Sequence, residues 1–282
     1  MNQPEPFKIQ NSSITIQNHT NMETDTIKKA PLLEARNLTK VYDDGVKALD
    51  DLDLKVHPGE IFAMLGGNGA GKTTTINIFL DFIQPTSGFA FINGVDANAD
   101  PLDAKKYVAF VSENVQLYPN FTAIQNLDFF VRLGGKQHYK RADYEAALVR
   151  VGLQREAFDK RLKDFSKGML QKCGIAIAIL KDAPAILLDE PTSGLDPKAG
   201  KEFTKLVGEL RDEGKAILMS THDIFRAKEI ADFVGILNKG ELVAHKTRAE
   251  LEGVNLENLY VEYMAGYMEE VSQPTTLTNN LS

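Results

Sequence analysis

Gly66-Gly67-Asn68-Gly69-Ala70-Gly71-Lys72-Thr73 constrains this chain more than any other stretch. It follows an apolar run, Ile61-Phe62-Ala63-Met64-Leu65, that reads as a buried strand. It precedes Thr73-Thr74-Thr75-Ile76-Asn77-Ile78-Phe79-Leu80, which reads as the start of a helix. Strand, glycine-rich turn and helix in that order satisfy G-x-x-x-x-G-K-[ST] in the context the motif needs. Glycines let backbone N–H groups converge on phosphate oxygens without Cβ clashes. The following helix aims unpaired N–H groups and its positive dipole end at the same anion. Lys72 adds a charge for the β- and γ-phosphates, and the Thr73 hydroxyl can ligate Mg²⁺. The predicted phosphate-binding set therefore runs from Gly66 through Thr74. The competing reading, a glycine-rich turn before an ordinary helix, is disfavoured by the flanking strand and helix.

The rest of the chain fits an α/β protein. Ala185-Ile186-Leu187-Leu188, Ala216-Ile217-Leu218-Met219 and Phe233-Val234-Gly235-Ile236-Leu237 read as further buried strands, with a helix over Gly200 to Asp212 between the first two. Strands alternating with helices predict a mainly parallel sheet. Ahead of the glycine-rich loop, Leu32-Leu33-Glu34-Ala35 opens a strand and Asp51 to Val56 alternates, with Leu52, Leu54 and Val56 on one side. From about 100 to 175 helical periodicity dominates (Leu127, Phe130, Val131, Leu133, then Tyr144, Ala147, Leu148, Val151), predicting a helical insertion. Residues 1–30 are polar and predict a flexible leader, 31–265 the folded domain, and 266–282 a disordered tail. No basic n-region followed by an apolar run opens the chain, so no export signal is expected.

Bulk properties narrow the partners. The 282 residues carry a net charge of −7, which argues against nucleic acid bound on a broad basic face. No run of about 18 apolar residues occurs, so no membrane span is predicted. The single cysteine, Cys173, rules out an internal disulfide and suits a reducing compartment. The five histidines are scattered without metal-ligand spacing.

Ala185-Ile186-Leu187-Leu188-Asp189-Glu190-Pro191 narrows the chemistry. A carboxylate ending a buried strand, expected beside the strand of the glycine-rich loop, can hold Mg²⁺ through water; Asp189 has that position. Glu190 is then placed to polarise a water aimed at the γ-phosphate. The alternative is that Asp-Glu-Pro merely ends a strand on solvent. Phe165-Ser166-Lys167-Gly168-Met169 precedes a helix over Lys167 to Leu180. Ser166 can donate to a phosphate oxygen or cap that helix, and Gly168 permits close backbone approach.

In these motifs and their order, over about residues 32–250, the sequence resembles ATP-binding cassette (ABC) transporter ATPase subunits. The resemblance implies a P-loop α/β core with a RecA-like architecture, an antiparallel β subdomain and an α-helical subdomain. It implies ATP and Mg²⁺ as cofactors. Lys72, Glu190 and His222 would be catalytic. Gly66, Gly67, Asn68, Gly69, Ala70, Gly71, Lys72, Thr73 and Thr74 would bind the phosphates, and Tyr42 would stack on adenine. Thr73, Asp189 and Glu113 would serve the metal. Ser166, Lys167, Gly168 and Met169 would form the signature loop that meets ATP held on a second copy of the chain. Ser193-Gly194-Leu195-Asp196 matches the family's D-loop, which touches that copy. Two departures stand out. Glu113 replaces the usual glutamine of the Q-loop, and Gly67 replaces a common proline.

The phrase from Ser112 to Thr122, with Phe165-Ser166-Lys167-Gly168-Met169-Leu170-Gln171-Lys172, is similar to ABC-2-type exporter ATPases. Among these it is most similar to the NosF group, which serves copper-site maturation of nitrous oxide reductase. That resemblance implies a membrane permease as partner, a peripheral place on the cytoplasmic face of the inner membrane, and a periplasmic accessory protein. Leu117, Tyr118, Phe121, Phe129 and Phe130 are expected to divide between the helical core, with Phe129 or Phe130 inside, and a groove for the permease. Drug, lipid or polysaccharide exporters remain alternatives, as do a soluble ABC ATPase acting on ribosomes or DNA and a non-catalytic regulatory cassette.

Overall fold

Alternating burial along the first two strands sets the fold's outer layer. β1 (Leu33–Val41) and β2 (Lys47–Val56) pair antiparallel, with Leu33 opposite Val56 and Ala35 opposite Leu54. The structure, a computed structural model, describes residues 29–136 and 138–271. β3 (Ile61–Leu65) leads into α1 (Lys72–Phe79), and β4 (Ser87–Ile92) and β5 (Val95–Asp96) return to the outer layer. Its strand order is β2-β1-β4-β5, antiparallel throughout.

A short α2 (Pro101–Ala104) precedes β6 (Val108–Val111). α3 (Ala123–Leu133), α4 (Arg141–Arg150) and α5 (Lys167–Lys181) form the helical region. β7 (Ala185–Asp189), α6 (Pro197–Asp212), β8 (Ala216–Thr221), α7 (Ile224–Ile230) and β9 (Phe233–Asn238) rebuild the α/β pattern. β10 (Glu241–Thr247), α8 (Arg248–Leu251) and α9 (Leu256–Val271) close the described chain. The second sheet runs β10-β9-β3-β8-β7-β6, parallel except for β10.

This sheet is apolar on both faces because both are covered. Phe62 and Met64 of β3 share a core with α1 and the antiparallel sheet, including Leu33, Leu52, Ile76 and Phe79. Ile61, Ala63 and Leu65 face the opposite way, into a core with Ile175, Leu206 and Ile230 from α5, α6 and α7. α1 is thus clamped between two sheets, which fixes the loop at its N-terminus.

Four sequence expectations need correction. Asp189's strand is not beside the P-loop strand: β8 lies between β3 and β7. The helical stretch from 100 to 175 contains β6, a sheet strand four residues long, too short for its period to show in the sequence. The boundary expected between the domain at 265 and the tail from 266 falls inside α9, which continues to Val271, with Leu256 buried and Leu259, Tyr260 and Tyr263 packed on the larger core. On α3, Ile124, Leu127 and Val131 face inward, whereas Leu133 is exposed and neither Phe129 nor Phe130 reaches the core. The leader over 1–28 and the tail over 272–282 lie outside the described residues.

Candidate active site

Backbone geometry makes the loop between β3 and α1 an anion cradle. Gly69 and Gly71 have φ of +79° and +109°, the left-handed range that side chains avoid. A Cβ at Gly71 would fall 2.6 Å from the Ala48 carbonyl oxygen, and one at Gly66 would fall 2.6 Å from that of Leu237. Gly71 stands at the N-cap of α1 with no side chain bonded to the first-turn N–H groups. Those donors therefore stay available to an anion. Lys72 is only 6% exposed, and its Nζ donates to the Gly66 and Gly67 carbonyls at 2.7 and 3.2 Å. The same Nζ lies 3.3 Å from Glu190 Oε1. A buried ammonium so held needs little motion to exchange a carbonyl for a phosphate oxygen.

The C-terminal ends of β7 and β8 bring the acids to this loop. Their parallel register sets Asp189 opposite Ser220. Ser220 Oγ donates to Asp189 Oδ1 at 2.5 Å and accepts from the Glu190 N–H at 2.8 Å. Thr73 Oγ1, at the start of α1, donates to the same Asp189 oxygen at 3.3 Å. Glu190 has φ of +44°, a conformation uncommon outside glycine, so the turn after β7 holds it in a strained backbone. That turn points its carboxylate back over the loop, with Oε1 toward Lys72 and Oε2 at 2.8 Å from His222 Nδ1. His222 also gives its backbone N–H to Oε2 at 3.3 Å. A carboxylate oriented from both sides, beside an ammonium and an imidazole, is equipped to align and polarise a water.

Three further loops border this cluster. Glu113 follows β6, and its Oε1 accepts from Ser193 Oγ at 2.9 Å and lies 3.5 Å from Lys167 Nζ. The Ser193 hydroxyl, aided by the charges of Lys167 and His222, holds this carboxyl below the usual carboxylate range. Ser166 caps α5, accepting from the Met169 N–H at 3.3 Å. A Cβ at Gly168 would fall 3.3 Å from Leu195 Cδ2, so the signature loop packs on its own D-loop. Tyr42 lies just after β1, partly exposed, with Lys40 Nζ 5.2 Å from its ring centroid and its hydroxyl 3.4 Å from Thr74 Oγ1. Its ring thus stands at the cradle's outer edge.

Lys72, Thr73, Asp189, Glu190 and His222 therefore converge, while Glu113 joins them through the D-loop and signature loop. Among the described residues, Ser166, Lys167, Gly168 and Met169 make no hydrogen bond or ion pair with residues 66–74. Sequence reading assigned no role to Ser220 or to the Ser193 hydroxyl. Only the alignment of strand and loop ends in space marks them.

The residues fit Mg-ATP. The Gly71 N-cap leaves the first-turn N–H groups of α1 without a side-chain cap, and Thr73 and Asp189 offer oxygen ligands within 3.3 Å of each other. Bound there, Mg²⁺ would neutralise phosphate charge and leave the orientation of water to Glu190 and His222.

Comparison with known proteins agrees. The ABC transporter family model matches residues 49–193. ABC transporter ATP-binding protein NatA of Bacillus subtilis (strain 168) is 34% identical over 230 residues, covering 80% of this chain and 93% of that protein. Nod factor export ATP-binding protein I of Cupriavidus metallidurans is 33% identical over 220 residues, 78% of this chain and 72% of that one. A solved dimer of the ATP-binding cassette MJ0796, in a post-hydrolysis state bound to ADP and Pi, superposes with a TM-score of 0.70 at 27% identity. The match covers 77% of this chain and 98% of MJ0796. With Lys72, Asp189, Glu190 and His222 gathered on this fold, the chain belongs to the ATP-binding subunits of ABC transporters, and its chemistry is ATP hydrolysis.

Proposed function

We propose that two copies of this chain close around two ATP molecules and drive export through a separate membrane permease. One observation carries the composite site. The hydrolytic cluster is assembled in one chain, yet among the described residues Ser166 to Met169 pack on the D-loop and make no hydrogen bond or ion pair with residues 66–74 of their own chain. A helix start held away from the phosphate loop of its own chain suits a phosphate presented by a second copy. ATP then bridges the copies, and hydrolysis removes the bridge. Glu190→Gln should accumulate as an ATP-bound dimer. A variant that stays monomeric on light scattering at saturating Mg-ATP would overturn the reading.

The permease surface is supported by an aromatic cluster before and along α3. Tyr118, Phe121 and Phe129 are 46%, 39% and 36% exposed, and their rings meet at centroid distances of 4.9 to 6.5 Å. Asn126, fully buried, fixes this loop by bonding the Tyr118 N–H and carbonyl and the Thr122 carbonyl. A preformed apolar ledge of this kind suits an amphipathic helix of the membrane subunit. Among the described residues no helix is long and apolar enough to cross a membrane. A peripheral place on the cytoplasmic face of the permease follows from this reading.

The export direction is supported by the name of the Nod factor relative. The copper-maturation reading rests on Glu113-Asn114-Val115 and Ser166 to Met169 alone. Neither relative named above carries it. Export of an unassigned cargo is therefore the reading adopted, and purification of the intact complex with its permease identifies the partner and any periplasmic accessory protein.

A further inference from the structure

Glu113, which stands where the family's Q-loop usually has glutamine, and Lys167 of the signature loop are each other's partners. Glu113 lies at the start of the loop after β6, Lys167 opens α5, and Ser193 belongs to the turn between β7 and α6. One carboxylate oxygen, Glu113 Oε1, takes both the Ser193 hydroxyl at 2.9 Å and the Lys167 ammonium at 3.5 Å. The Lys167 stem crosses the D-loop on the way, since a Cβ at Gly194 would fall 3.5 Å from its Cδ. The Q-loop is held to α5 a second time, two residues on. A Cβ at Gly174 would fall 3.1 Å from Val115 Cγ2, so that valine packs tightly on α5 at this glycine. Three loops from three different elements thus share one charged contact, and two of them are also packed together.

We propose that Glu113 and Lys167 act as a single positioning pair that ties each chain's Q-loop to its own signature loop and D-loop. The idea rests on the composite-site reading. In that arrangement Glu113 borders one ATP while Lys167 belongs to the loop offered to the other ATP. The pair is then a direct mechanical link between the two sites. Both side chains are two-fifths exposed, so the link is weak enough to break and remake during turnover. Removing one partner leaves a lone charge in the junction, carboxylate beside the γ-phosphate position or ammonium against the D-loop. Removing both leaves neither.

A double-mutant cycle on the full chain tests this, with Glu113→Gln, Lys167→Gly and the pair combined. Rates are measured against ATP concentration, and melting temperature is followed in parallel. Each single change should lower kcat and bring the Hill coefficient for ATP toward about one. The double variant should recover both, departing from the product of the single effects by about threefold or more. Effects that simply multiply, or singles that leave kcat and the Hill coefficient alone, overturn the proposal. A shift in melting temperature alone shows a structural contact and also overturns it. Glu190→Gln, run alongside, separates the two ideas. If it forms no dimer with Mg-ATP, the composite site fails and the pair loses its meaning. If it dimerises while the cycle multiplies, the pair alone falls.

Discussion

Ser220 Oγ stands 2.5 Å from Asp189 Oδ1 and accepts the Glu190 N–H at 2.8 Å, so one buried hydroxyl fixes both carboxylates of the site. It holds the first by donating to its side chain and the second by anchoring its backbone, where φ is +44°. Ser220→Ala removes both bonds and leaves the Glu190 N–H without a partner in the protein. A buried donor left unpaired costs about 1–3 kcal/mol. Support of this kind behind a metal ligand is worth about tenfold or more in activity or metal affinity. The expected outcome is a lower melting temperature with a fall in kcat of that order. Denaturant unfolding and a phosphate-release assay check the two arms separately.

The phosphate loop contains glycines of two kinds. Gly71 has φ of +109° and no space for a Cβ, so Gly71→Ala should disrupt the start of α1 and abolish nucleotide binding. Gly67 lies outside the left-handed range, and the nearest atom to a Cβ there is the Tyr260 hydroxyl at 3.9 Å. Gly67→Ala should therefore fold normally and gain about 0.4–1 kcal/mol from a less flexible unfolded chain. Binding of a fluorescent ATP analogue and urea unfolding of the two variants should give opposite results.

Cys173 is fully buried on the inner face of α5. Burial pushes its thiol from an ordinary 9.0 up to about 12. The unfolded chain consequently gives up this proton first. The contribution of Cys173 to stability is intact below pH 9.0 and is lost as pH rises from there through about 12. Thiol reagents at pH 8 should label the native protein only at the rate of its unfolding. Unfolding free energies of the parent should fall more steeply across that alkaline window than those of Cys173→Ala.

The aromatic ledge makes a separable prediction. Tyr118→Ala and Phe121→Ala remove exposed rings and leave Asn126 to hold the loop through backbone groups. Each should fold and hydrolyse ATP as the isolated chain, with melting temperature and basal rate close to the parent. Co-purification with the membrane subunit should weaken by tenfold or so, about 1.4 kcal/mol per tenfold. Unchanged co-purification would assign the ledge elsewhere.

The chemistry of this protein was written locally. Gly66 to Thr73 needs only its own backbone and the helix that follows, because φ values and helix-end N–H groups are short-range properties. Asp189 and Glu190 were legible for the same reason, as the polar end of an apolar run. Tertiary structure decided what lies between those pieces. Asp189 meets Ser220 because β8 inserts between β3 and β7, a strand order that no local pattern encodes. The Leu127 and Val131 stripe announced a helix with a buried side, but only packing showed that Phe129 and Leu133 turn away from it. The resemblance implied a metal role for Glu113, whereas its partners Ser193 and Lys167, 80 and 54 positions away, came only from the fold. Long-range partners depend on how sheets and helices stack, which is set by burial over the whole chain rather than by any one segment of it.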